Sequence, residues 1–110
     1  MSVRVLPEAR GDLREAIRHY RAVKPPAIGK QLAARVLDSF KQAIASVEAL
    51  PLSRPEHSEI AGARWVQLER FPYVAFYTVK NGVVVVVAME YATRDFVDRV
   101  EKRIRRGEHK

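Results

Sequence analysis

Four residues of this chain, Arg64, Arg70, Tyr91 and Arg94, are of types that can act on a phosphodiester. General acid–base cleavage of RNA needs a group to activate the 2′-hydroxyl, cations for the developing phosphorane charge, and a proton donor for the leaving oxygen. Arginine supplies the charge and tyrosine a proton, and Tyr91 and Arg94 are near enough in sequence to share one surface. The structural alternative is plain: solvated arginines and a packed tyrosine, with Arg94 pairing with Asp95 or Asp98. Other chemistries lack their residues. His19, His57 and His109 are scattered, with no HExxH or paired-histidine spacing, so no metal is expected. No nucleophile elbow, Walker loop or GxGxxG occurs, and no cofactor is expected. The chain has no cysteine, which excludes a thiolate nucleophile and fits a reducing compartment. Glu8, Asp12 and Glu15 have helical spacing but alternate with arginines, and they read as a solvated, salt-bridged face.

Charge points to partners. Twenty Lys and Arg against thirteen Asp and Glu give a formal net charge of +7 over 110 residues, and fourteen of the cations are arginine. Such an excess suits nucleic acid, an enzyme that works on it, or an acidic protein. A hydrophobic fraction of 47% and a charged fraction of 30% describe one globular domain over residues 1–110. The longest apolar run, Val83 to Met89, is far short of a membrane span, and the first residues hold no apolar stretch long enough for a signal peptide. The expectation is a soluble cytoplasmic protein.

The elements that must position these residues follow from periodicity. Ser2 to Leu6 alternates as a short strand, and Pro7 opens a helix at its first position. Leu13, Ala16, Ile17 and Tyr20 form that helix's apolar stripe, while Arg10, Arg14, Arg18 and Arg21 line another part of its surface. Lys24-Pro25-Pro26 stops it. A longer helix runs from about Pro26 to before Pro51, with Leu32, Val36, Phe40, Ala43, Ile44 and Val47 as its stripe. A loop fills Pro51 to Gly62. Three strands follow, Arg64 to Leu68, Tyr73 to Val79 and Val83 to Glu90, the last two joined by Asn81-Gly82, which suits a type I′ turn. Phe96, Val97, Val100 and Ile104 then have helical spacing in a basic helix and tail over about 94–110. The sum is an α+β domain: N-terminal strand, αα-hairpin, three-stranded antiparallel meander and short C-terminal helix, with the helices on one sheet face. Its expected core is Leu13, Ile17, Tyr20, Leu32, Val36, Phe40, Ile44, Phe76 and Val85.

This order resembles the RelE/ParE toxin superfamily of type II toxin–antitoxin modules. The run from Pro7-Glu8-Ala9 through Asp12-Leu13 to Ile17 and Tyr20 is similar to the family's opening, and Leu50-Pro51 ends the second helix as the family does. Arg70-Phe71-Pro72-Tyr73-Val74-Ala75-Phe76-Tyr77 resembles the ParE-type F-P-Y segment, and Thr93-Arg94-Asp95 the closing segment. The match runs from about Val3 to Val100.

The resemblance implies function. RNA-cleaving relatives often carry an arginine where this chain has Val74 and a histidine or tyrosine near the C-terminus; many have a histidine where this chain has Tyr91. The ParE branch instead implies a toxin that inhibits DNA gyrase by binding it, with no catalytic residue. On that reading Tyr91, Arg94 and Phe96 contact the target, and direct nucleic-acid binding is not favoured. An antitoxin with an acidic, amphipathic segment is the implied partner, in a toxin–antitoxin hetero-oligomer, meeting Arg10, Arg14, Arg18 and Arg21. The alternatives are a ribosome-dependent mRNA endonuclease, with Arg64, Arg70, Tyr91 and Arg94 as its residues, or an inactive basic interaction domain.

Overall fold

The computed structural model describes residues 2–93 and 95–108. Two residues discussed above, Arg94 and His109, lie outside the described residues. The elements are β1 (Ser2–Val5), α1 (Pro7–Arg21), α2 (Pro26–Ala49), β2 (Arg64–Gln67), β3 (Tyr73–Lys80), β4 (Val83–Tyr91) and α3 (Val97–Glu108). Prolines set both long helices: Pro7 and Pro26 occupy their first turns, where a missing N–H costs nothing.

The four strands form one sheet in the order β1-β4-β3-β2. The meander is as the sequence predicts, with Asn81 (φ 51°) and Gly82 (φ 75°) in the left-handed region that a type I′ turn requires. β1 joins it by parallel pairing with β4, from Ser2↔Val83 to Val5↔Val86. Between Phe76 and Tyr77 the β3–β4 register slips: Phe76 pairs with Ala88 and Tyr77 with Val86, leaving Val87 as the extra residue. The slip resets the alternation of side chains along β4. Val84, Val86 and Met89 join one core cluster, while Val87 and Ala88 join the other with Val85 at its margin.

One cluster lies under the αα-hairpin, where Val36, Phe40, Ala43 and Val47 meet Ala75, Tyr77, Val84 and Val86. The other lies under α3 and the 50–63 loop, where Val100 and Ile60 meet Phe76, Val87 and Ala88. The sequence pattern predicts all helices on one sheet face; in the structure α3 lies on the face opposite the αα-hairpin. A valine-rich β4 is covered on both sides, and α3 is its second cover.

The core also differs in detail. Val36, Phe40 and Phe76 are buried, but Leu13, Ile17, Tyr20, Leu32, Ile44 and Val85 are only half-buried. Small residues share the buried helix positions with Val36, Phe40 and Val47: Ala9, Ala16, Ala33 and Ala43. Gly29 shows why. A Cβ there would sit 2.6 Å from the Val23 carbonyl oxygen and against that of Arg21, so the hairpin closes backbone to backbone.

Candidate functional site

Two segments build one end of the sheet: the turn between β2 and β3, and the chain leaving β4. The turn is closed by Leu68 N–H donating to the Tyr73 carbonyl (2.9 Å), and Ala92 N–H donates to the Pro72 carbonyl (2.8 Å). From α2, the Ser39 hydroxyl donates to the Glu69 carbonyl (2.8 Å). At the tip, Arg70 is exposed with φ 69°.

Beside it, Tyr73 and Tyr91 are register partners whose rings meet edge to face, 5.4 Å apart. Tyr20 of α1 extends this group to Phe71 (5.1 Å) and Tyr73 (6.3 Å). Burial, with the nearby Tyr91 phenol adding to it, pushes the Tyr20 hydroxyl above the usual tyrosine range. A groove of about 410 Å³ separates α1 from the end of β4, lined by Asp12, Glu15, His19, Tyr73, Glu90 and Tyr91.

β4 runs on past the end of β1, so among the described residues no strand lies beside its outer edge beyond Val86. Side chains replace the missing strand. Asp12 Oδ2 accepts from Met89 N–H (3.0 Å), and Arg103 Nη1 donates to the Val87 carbonyl (3.1 Å) and to Asp12 Oδ2 (2.6 Å). One turn earlier on α3, Arg99 holds the buried Glu90 carboxylate with two bonds of 3.0 and 3.1 Å. Donating to the Glu90 and Asp12 carboxylates holds the Arg99 and Arg103 guanidiniums above the usual arginine range. Asp12 is thus an edge cap and not the solvated residue its helical spacing suggested.

The residues singled out in the sequence are only partly brought together. Arg70 and Tyr91 share the sheet end. Arg64 does not: it pairs with Tyr77, four residues along β3 from Tyr73, about 13 Å away at strand rise. Its guanidinium donates to the Arg54 carbonyl. Phe96 is half-buried, packing on Phe76 (5.0 Å) and near His57 (6.0 Å) at the margin of the cluster beneath α3. Tyr91 rests against Tyr73 on the hairpin side, so Phe96 and Tyr91 lie on opposite faces. Val74 packs on the α3 side and pairs with Glu90. Arg10, Arg14, Arg18 and Arg21 are exposed along one flank of α1, and their side chains have no ion-pair or hydrogen-bond partner among the described residues.

Sequence reasoning missed the Asp12, Glu90, Arg99 and Arg103 group. One signal was available: a glutamate closing an apolar strand, which needs a partner when buried. Among the described residues no cluster of histidine and acids could hold a metal ion, and no helix is long and apolar enough to cross a membrane.

The family described as ParE toxin of type II toxin–antitoxin system, parDE, matches residues 3–96. Among solved structures, the chain is similar to one from the chromosomal ParDE TA system of P. aeruginosa, with a TM-score of 0.69 and 24% identity over 83% of this chain and 95% of that one. It also aligns with the isolated E. coli RelE toxin, at a TM-score of 0.48 and 16% identity over 94% of this chain and 97% of that one. No curated protein sequence matches.

Proposed function

The chain belongs to the ParE toxin family of type II toxin–antitoxin systems, and from that premise we propose that it inhibits DNA gyrase by direct binding. The observation that carries this reading is the composition of the sheet end. Tyr91 is 37% exposed there, with an exposed Arg70 on the adjoining turn, and such an aromatic–cation pairing is typical of protein-binding hot spots. The acid–base constellation of a nuclease has less support. Arg64 is committed to a carbonyl some 13 Å along the strand, and Val74 is an apolar packing residue. Tyr91 is the target contact in this reading; Phe96 is withdrawn from it because its ring is used in packing.

An antitoxin neutralises the protein by covering the αα-hairpin. The exposed row of Arg10, Arg14, Arg18 and Arg21 supports a partner segment rich in acids, since complementary charge speeds and orients association.

The test is supercoiling by purified gyrase with the protein added, run beside translation-coupled cleavage of mRNA. Loss of supercoiling with intact mRNA is expected, and Tyr91→Ala should weaken the inhibition about tenfold or more. Unimpaired supercoiling with codon-linked cuts would overturn the proposal in favour of an endonuclease.

A further inference from the structure

Arg70 has a backbone that its own chain does not reward. Its φ of 69° lies in the left-handed region, which L-residues other than glycine, asparagine and aspartate enter at a cost. Among the described residues that are not glycine, only Asn81 shares the region, and the hairpin turn explains it. The β2–β3 turn is held by the Leu68–Tyr73 bond, by Ser39 on Glu69 and by Ala92 on Pro72, none of which uses the Arg70 side chain. That side chain is exposed, with no hydrogen-bond or ion-pair partner among the described residues. Glycine or asparagine would serve the fold as well or better. A residue that violates local preference without return inside the chain is the signature of a site used from outside it.

We propose that Arg70 is a contact residue for this toxin's target and that it binds a carboxylate on a protein surface, an inference that rests on the toxin reading above. The sheet pairing puts Tyr91 opposite Tyr73, three residues on from Arg70, and ties Ala92 to Pro72, so Tyr91 and the turn share one end of the sheet. The ligand class follows from a groove of about 510 Å³ between α2 and the turn. Arg35 and Arg70 line it, but so do Asp38 and Glu69, together with Leu32 and Phe71. With two acids against two arginines the groove has no net charge to draw a polyanionic phosphate backbone, whereas mixed charge over apolar residues matches a protein interface, where arginine forks a single carboxylate.

Arg70→Asn and Arg70→Gln test this in the full chain, by growth arrest on induced expression, by thermal melting and by anisotropy with a short DNA duplex and a short RNA. Asparagine relieves the backbone and glutamine keeps it. Both remove the charge. Survivors should rise about tenfold or more for both variants, with the Arg70→Asn melting temperature equal to the wild type or a few degrees above it, and with nucleic-acid affinity unmoved. Undiminished arrest by both variants would overturn the inference while leaving the toxin reading intact. So would an Arg70→Asn protein that melts several degrees lower, since Arg70 would then be structural. A parallel loss of DNA or RNA affinity would replace the carboxylate by phosphate and overturn it too. A wild-type chain that arrests nothing would remove the toxin reading and the inference together.

Discussion

Asp12 and Arg103, 91 residues apart in the chain, form a two-pronged ion pair with Nη1–Oδ2 at 2.6 Å and Nη2–Oδ1 at 3.3 Å. Through it α1, on one face of the sheet, and α3, on the other, close over the β4 edge at Val87 and Met89. A bare edge of this kind is a template for unwanted pairing, and side chains that occupy it suppress that.

Removing one partner leaves the other poorly matched in a site where both are largely shielded from water. Arg103→Ala or Asp12→Ala should each cost about 2–3 kcal/mol in urea unfolding, the lower range for a pair that is not fully buried. A double-mutant cycle should return a coupling of about 1 kcal/mol or more. Strictly additive losses would show that the two residues act separately.

Gly29→Ala should destabilise the hairpin although alanine is the better helix former. The added methyl meets backbone carbonyls of Arg21 and Val23, which cannot rotate away. A loss of about 1–3 kcal/mol is expected, read as a lower urea midpoint with an unchanged m-value. A stabilised variant would mean that the α1–α2 turn yields easily.

Tyr77 links the core to the loop after α2, its hydroxyl donating to the Pro51 carbonyl (2.8 Å). Burial raises the phenol above its usual range, with Arg64 and then Arg54 pulling it back in part. A folded-state value above the unfolded one, near 10, means that the stabilisation is complete below about pH 10 and fades as pH rises through the folded value. Stability should therefore fall on the alkaline side. Tyr77→Phe should flatten that fall and cost about 1–2 kcal/mol at neutral pH by orphaning the carbonyl. Urea melts across the alkaline range report both.

Charge reversal of Arg14 and Arg18 together should slow association with the cognate antitoxin about tenfold and reduce its salt dependence. Stopped-flow association rates at several ionic strengths measure this. Unchanged rates and salt slopes would place the antitoxin elsewhere.

The sequence by itself determined what local rules control. Pro7, Pro26 and Pro51 bound the helices, Asn81-Gly82 fixed the β3–β4 turn, and the F-P-Y segment marked the family. Tertiary structure decided everything that depends on which faces meet. It set β1 parallel to β4, put α3 across the sheet from the hairpin, and brought the start of α2 so close to the end of α1 that only Gly29 fits there. It also sent Phe96 inward and Tyr91 outward, and turned Asp12 from a surface acid into an edge cap. The physical reason is range. Turns and periodicity are energies of neighbouring residues and are written in neighbouring letters. A strand edge left bare by a short β1, and the carboxylate and guanidinium that close it from 91 residues apart, come together only when both sheet faces are buried.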